Sequence, residues 1–417
     1  MIHVHKCTTL GATMMALAIT FLPNLSRAEP SRGTVLQSSV MARFSAKTIA
    51  AMHAAGSNAV EPNCDVRVVE LTYSTVGVNG EPATASAALL VPSGKRCQGP
   101  YPLLAWGHAT ETRRDAEQAK IISNDRTDNP LVTEFASNGY VVVSTDYIGL
   151  GKSNYTFHPY LHAATEASAI VDSLRASRNF LRQENIPLSG RVMLSGNSQG
   201  AHAAMAAQRE IETRLTHEFN LVASAPISGP YALSQSFLDS WSGRNAVGES
   251  TFGVMLASYA IVGMQRAYKN IYVAPDQVFQ PPWAAKIESN FPGKSDSTEL
   301  VASLPSVDQV THYFQPWFYK DFVNNPNNAF RRDLVRNDLL DWIPRTPTLL
   351  CGSNNDATVP LKNAQTAIAS FRQHGSYVVN VMDLGTGNPA DNSAFAHLTT
   401  MRPCMNAVRV DLLDKRR

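Results

Sequence analysis

The sequence predicts an α/β protein: a mainly parallel central sheet flanked by helices, with a helical segment inserted between two of its strands. Three observations predict it. Candidate strands and helices alternate along most of the chain, the pattern of a parallel sheet covered on its faces. Tyr140-Val141-Val142-Val143 is a continuous run rich in β-branched residues, as expected of a strand buried on both sides. Residues from about 231 to 344 break the alternation. They are helical in pattern and dense in aromatics: Trp241, Phe252, Tyr259, Trp283, Phe314, Trp317, Phe318 and Tyr319.

Taken in order, residues 29 to about 60 read as a polar lead-in with one short helix near Ser45–Ala55. Val66, Val68, Leu71 and Tyr73 alternate roughly, and Ala83–Val91 is a second strand. Asn79-Gly80 between them is a hairpin signal, so antiparallel strands are expected at one edge of the sheet. Leu103–Trp106 is an apolar strand ending at Gly107-His108, and a helical stretch leads on to the strand at 140–143. Ala167, Ile170, Val171, Leu174 and Phe180 recur at helical spacing within Thr165–Leu181. Val192–Leu194 and Leu221–Ala225 are short strands on either side of the Ala-rich helix Gln199–Glu212. Thr348–Leu350 and Tyr377–Val381 are the last strands, with a helix near Asn363–Gln373 between them. The core is then 29–230 plus 345–417, and 231–344 is a cap in which Phe252–Gly263 reads as a buried or cap helix.

The N-terminus is set apart from the fold. His3, His5 and Lys6 precede an apolar run from Leu10 to Leu22, and Ser26-Arg27-Ala28 gives a small-x-small step. This is the layout of a secretory signal peptide over 1–28, with cleavage expected after Ala28 and a secreted or periplasmic product. The run is shorter than the ~18 apolar residues of a spanning helix, so no stable membrane insertion is expected after cleavage. Cys7 leaves with the signal, and Cys64, Cys97, Cys351 and Cys404 remain, an even number in an exported chain. Of the three possible pairings, Cys64–Cys97 and Cys351–Cys404 keep each loop within one end of the chain. No CxxC or HExxH occurs, so no metal site is expected, and no cofactor is signalled.

Composition narrows the classes. Over 417 residues, 44% apolar and 17% charged residues exclude disorder, collagen and coiled coil. A formal net charge of +2 gives no reason to expect nucleic acid as a partner.

The sharpest signal is Gly196-Asn197-Ser198-Gln199-Gly200, a G-x-S-x-G directly after a short apolar strand and directly before an Ala-rich helix. A turn this tight admits only small residues two positions either side of the serine. The serine then projects above the sheet, and the amide of Gln199 points at the same space from a helix N-terminus. A serine hydroxyl needs a base in contact and a carboxylate to orient that base. In a strand–serine–helix turn of this kind the chain order is Ser, acid, His. Of the later histidines, His202 is in the helix that the serine opens, His217 precedes the next strand, His312 lies in the cap and His374 suits a helix end. His397, in the loop Asn388–Ala396 to Leu398 after the last strand, is the one the order asks for. Asp356 follows the strand ending at Gly352, where α/β sheets gather functional groups. Asp383 is its rival at the end of the next strand, and Asp338 and Asp341 come before the strand, at the wrong end. A second oxyanion donor should come from the loop after Trp106-Gly107-His108, with Ala109 or Thr110 in place for it; His108 reads as a loop brace. Gly149-Leu150-Gly151-Lys152-Ser153 ends like a phosphate-binding loop, but that pattern needs glycine where Asp146 stands.

With these residues in place, the chain resembles the α/β-hydrolase superfamily, and within it the secreted bacterial and fungal lipases and esterases of the secretory-lipase type. The matching stretches are Leu103–Thr110, Val141–Gly151 with His158-Pro159-Tyr160, Gly196–His202 and Trp342–Pro360, within a span from about 60 to 410. The family often has glycine after the histidine of the oxyanion loop; here it is Ala109. The resemblance implies an exported serine hydrolase of carboxylic esters, acting on a small-molecule or lipid-like ester through Ser198, His397 and Asp356. Some members of the superfamily are peptidases, so a peptidase or amidase of the same fold is the alternative. A binding protein on a hydrolase scaffold would commonly lack one of the three residues, and here all three stand in order.

Overall fold

The computed structural model describes residues 1–2, 31–52, 62–125, 128–244, 250–305, 313–387 and 394–417. The expected signal peptide, His312 of the expected cap and residues 388–393 of the expected loop therefore fall outside the described residues, apart from Met1 and Ile2. Ser31–Arg417 forms one unit, and all that follows concerns it.

Nine strands of the described residues make one sheet: β1 (Val35–Phe44), β2 (Asp65–Val76), β3 (Pro82–Ser93), β4 (Tyr101–Gly107), β5 (Val141–Thr145), β6 (Leu188–Asn197), β7 (Asn220–Ile227), β8 (Thr348–Gly352) and β9 (Val379–Asp383). Their order is β1-β2-β3-β5-β4-β6-β7-β8-β9. β1, β2 and β3 pair antiparallel, β3 meets β5 antiparallel, and every later pairing is parallel. This is the α/β-hydrolase fold expected from the sequence, with the antiparallel hairpin at one edge. One expectation is corrected. The polar lead-in holds β1, an edge strand whose residues from Leu36 to Val40 are exposed, so it lacks the apolar alternation of a strand with a buried face. The short helix is α1 (Ala46–Met52), and the rest of its expected span is outside the described residues.

Period-two alternation sorts the strand side chains to two buried faces. Leu103, Ala105, Val141, Val143, Val192 and Leu194 pack on one side with residues of α3 (Ala163–Gln183) and α4 (Gln199–Arg214). Leu104, Trp106, Val142 and Met193 pack on the other with α2 (Gln118–Asn124) and α12 (Ala394–Val408). The disulfides are Cys64–Cys97 and Cys351–Cys404, the expected pairing.

Between β7 and β8 lie α5 (Leu233–Trp241), α6 (Thr251–Tyr268), α7 (Ile287–Asn290), α8 (Ser297–Ser303), α9 (Pro316–Asn324) and α10 (Ala329–Arg336); α11 (Lys362–Gln373) follows β8. Side-chain caps start several of these helices: Ser250 accepts from the amide of Gly253 at 2.9 Å, and Asn328 from that of Arg331 at 3.0 Å. Their apolar faces bury an aromatic cluster centred on Trp241, which meets Phe314, Phe318, Tyr319, Phe322 and Phe330. Tyr160 and Leu161, from the segment after β5, join it.

Candidate active site

Ser198 sits between the end of β6 and the start of α4 with φ 58° and ψ −119°. A non-glycine residue at positive φ costs about 1–3 kcal/mol, so its surroundings must hold it. Its amide donates to the carbonyl of Ile227 in β7 at 3.0 Å, and its carbonyl accepts from the amide of Ala201 at 3.0 Å. The tight turn is possible because Gly107, Gly196 and Gly200 meet backbone to backbone. A Cβ on Gly200 would stand 1.9 Å from the carbonyl oxygen of Gly107, and one on Gly196 2.3 Å from that of Gly200.

Behind the serine lies a buried polar network that sequence reasoning missed. The Gln199 side-chain amide donates to His158 Nε2 at 2.8 Å and to Glu166 Oε1 at 3.0 Å. His158 donates from Nδ1 to the carbonyl of Ile148 at 2.9 Å, which leaves Nε2 as the acceptor. Burial pushes the His158 imidazole down to about 3, so it is neutral. Glu166 Oε2 faces His202 Nδ1 at 2.6 Å, and His202 Nε2 donates to the carbonyl of Asn337 at 2.9 Å. Both ring nitrogens of His202 are thus committed to this network. The available signal was Glu166 itself, a carboxylate on the helix next to Ala167, which lines its apolar face.

Asp356 lies in the loop after β8. Its Oδ1 accepts from the amides of Thr358 at 2.9 Å and Val359 at 2.8 Å, and its Oδ2 faces His397 Nδ1 at 2.7 Å. Both side chains are buried. Two residues 41 positions apart in the chain are thereby brought together. His397 corrects one expectation: it stands in the first turn of α12 and not in a loop. Asp383 accepts from the amides of Asn354 at 3.0 Å and Gly385 at 2.8 Å, joining the loops after β8 and β9. Asp338 caps α5 through Ser234, and the exposed Asp341 pairs with His374. Among the described residues no hydrogen bond joins Ser198 to His397.

The loop after β4 carries Ala109 and Thr110. His108 donates from Nδ1 to the carbonyl of Ala109 at 2.6 Å, and burial pushes its imidazole below the usual range, consistent with a neutral brace. The Thr110 hydroxyl meets the Tyr160 hydroxyl at 2.8 Å, and the Tyr160 ring stacks on Tyr259 of α6 with centroids 4.3 Å apart. Ser198 and Gln199 open on a cavity of about 650 Å³, its open side included, lined also by Leu233, Phe237, Trp241, Leu256 and Val359.

A family model described as secretory lipase matches residues 118–260. The rice cell wall degrading esterase LipA from Xanthomonas oryzae, in a ligand-bound crystal structure, is 62% identical, with a TM-score of 0.91 over 93% of this chain and 100% of that one. The chain belongs to the secretory lipase family. It is a carboxylic-ester hydrolase, and family and disulfides together mark it as an exported protein. Lipase A of Moesziomyces aphidis is 30% identical over 111 residues, which are 26% of this chain and 22% of that protein. The fold extends to Candida antarctica lipase A at 19% identity, with a TM-score of 0.60 over 84% of this chain and 76% of that one. Among the described residues, no helix is long and apolar enough to cross a membrane.

Proposed function

We propose that this secretory lipase hydrolyses its ester through a triad of Ser198, His397 and Asp356. The observation that carries the reading is the buried 2.7 Å contact from His397 Nδ1 to Asp356, together with a serine held at positive φ at a helix start. With Nδ1–H given to the carboxylate, Nε2 keeps its lone pair and serves as the base. Ser198 Oγ attacks the ester carbonyl as Nε2 takes its proton. The carbonyl π pair moves onto oxygen, where the amides of Gln199 and of Ala109 or Thr110 receive it. Collapse expels the alcohol, which takes the proton back from Nε2. Water then enters by the same steps in reverse and frees the acid.

Residues 231–344 act as the cap, and the side chains that α5 and α6 lend to the cavity accept an apolar acyl group. Residues 1–28 are the signal, removed after Ala28. Ser198→Ala is expected to lower turnover of a p-nitrophenyl ester by at least about 10³-fold in a protein with an unchanged circular dichroism spectrum. Turnover near that of the parent protein would overturn the triad.

A further inference from the structure

The two halves of the His397–Asp356 contact stand on separate elements, and something must fix their separation. Asp356 follows β8, whose Cys351 is locked on both sides: it pairs with Ile227 of β7 and Met382 of β9, and its carbonyl accepts from the Ser228 amide at 2.8 Å. That frame continues to the nucleophile, since Ile227 also receives the Ser198 amide. The other half is held less firmly. α12 starts at Ala394, and Phe395 and Leu398 beside His397 are 68% and 61% exposed. Apolar packing therefore does little for that turn. Pro403 inside α12 also removes the amide that would close a bond to the Thr399 carbonyl. Arg402 of the helix and Arg409 just after it pair with Asp128 and Glu134, not with β8.

Cys404 supplies the tie to β8. It lies on the buried stripe of α12 with His397 and Thr400, seven residues after the histidine, and its disulfide partner lies five residues before Asp356. We infer that the Cys351–Cys404 disulfide is a positioning element for catalysis: it locks the helix that carries His397 to the strand that presents Asp356. Cys64–Cys97 joins the residue just before β2 to the loop before β4, and it holds neither triad segment.

The inference rests on the triad reading, and a double-mutant cycle separates the two. Cys351→Ala/Cys404→Ala is expected to lower kcat on a p-nitrophenyl ester about tenfold or more with KM little changed, because small misplacements of reacting groups cost rate and not substrate affinity. Cys64→Ala/Cys97→Ala is expected to keep kcat within about twofold. In an Asp356→Asn background, removing Cys351–Cys404 is expected to change kcat by less than about twofold, since the contact it serves is already lost. Undiminished kcat in the folded Cys351→Ala/Cys404→Ala protein would overturn the inference, and so would a loss that persists in full beside Asp356→Asn. If that variant does not fold, the same measurements are made on folded Cys64→Ala/Cys97→Ala protein and its Asp356→Asn derivative after phosphine reduction and alkylation of the remaining disulfide, with circular dichroism as the control. If Asp356→Asn alone leaves kcat intact, the triad itself has failed.

Discussion

Ser198 stands in the interior of the sheet, at the end of β6 with β4 and β7 on either side, whereas Asp356 and His397 stand toward the β9 edge on two separate segments. The serine is placed by main chain: a positive φ, a bond to Ile227 and three glycines in backbone contact. The acid and the imidazole are placed by side chains: one short contact, two amides on Asp356 and a disulfide nearby. Main chain in a sheet interior has no room to give. A side-chain contact between a loop and a helix start can be lost while the fold survives. Changes on the two sides should therefore fail differently, in chemistry on one and in stability on the other.

The largest expected effect is on the side-chain half. Asp356→Asn keeps an oxygen for the amides of Thr358 and Val359, so the loop should stay folded. Its NH2 group, however, would face His397 Nδ1 and favour the tautomer with the proton on Nε2, where the lone pair is needed. A fall in kcat of about 10⁴-fold is expected, with denaturant stability close to the parent. A loss of less than about tenfold would remove Asp356 from the triad.

On the main-chain half, Gly200→Ala puts a carbon 1.9 Å from a backbone oxygen that cannot move without parting β4 from α4. Destabilisation of about 3 kcal/mol is expected in urea unfolding. A stability within about 1 kcal/mol of the parent would show that the strand and helix can separate there at little cost.

The same division governs what the sequence disclosed. Features made by main chain leave local marks. The glycines around Ser198 sit two positions either side of it, and the buried strands read as apolar runs, so the sheet and the serine turn were legible. Asp356 could be singled out because it lies in the loop that follows a strand. The start of α12 was not legible, because Pro403 breaks its pattern and the side chains beside His397 are exposed. β1 was missed because an edge strand with an exposed centre carries little alternation. The Gln199–His158–Glu166–His202 network left only the mark of Glu166 beside the apolar face of its helix: its members come from α3, α4 and the segment before α3, and only the fold makes them neighbours.

That network gives the smallest expected effect and the one that sharpens the comparison most. His158 titrates at about 3 in the folded protein because burial penalises its charged form, against about 6.5 in an unfolded chain. Between these values the unfolded state binds the extra proton, so the folded protein loses stability as pH falls from about 6.5. His162, brought down to about 4 by burial and by His202, acts in the same sense. Asp146, raised to about 7 by burial, acts in the opposite sense, since its folded form holds a proton that the unfolded form releases above about 4. His158→Gln can still donate to Ile148 and accept from Gln199 but cannot take up a proton. Between pH 6.5 and 4.5 the variant is expected to lose on the order of 2–3 kcal/mol less stability than the parent, with His162 and Asp146 common to both. Urea unfolding at the two pH values measures the difference. Equal losses would show that His158 is not held neutral, and that the Gln199 side chain is braced by something other than a fixed imidazole acceptor.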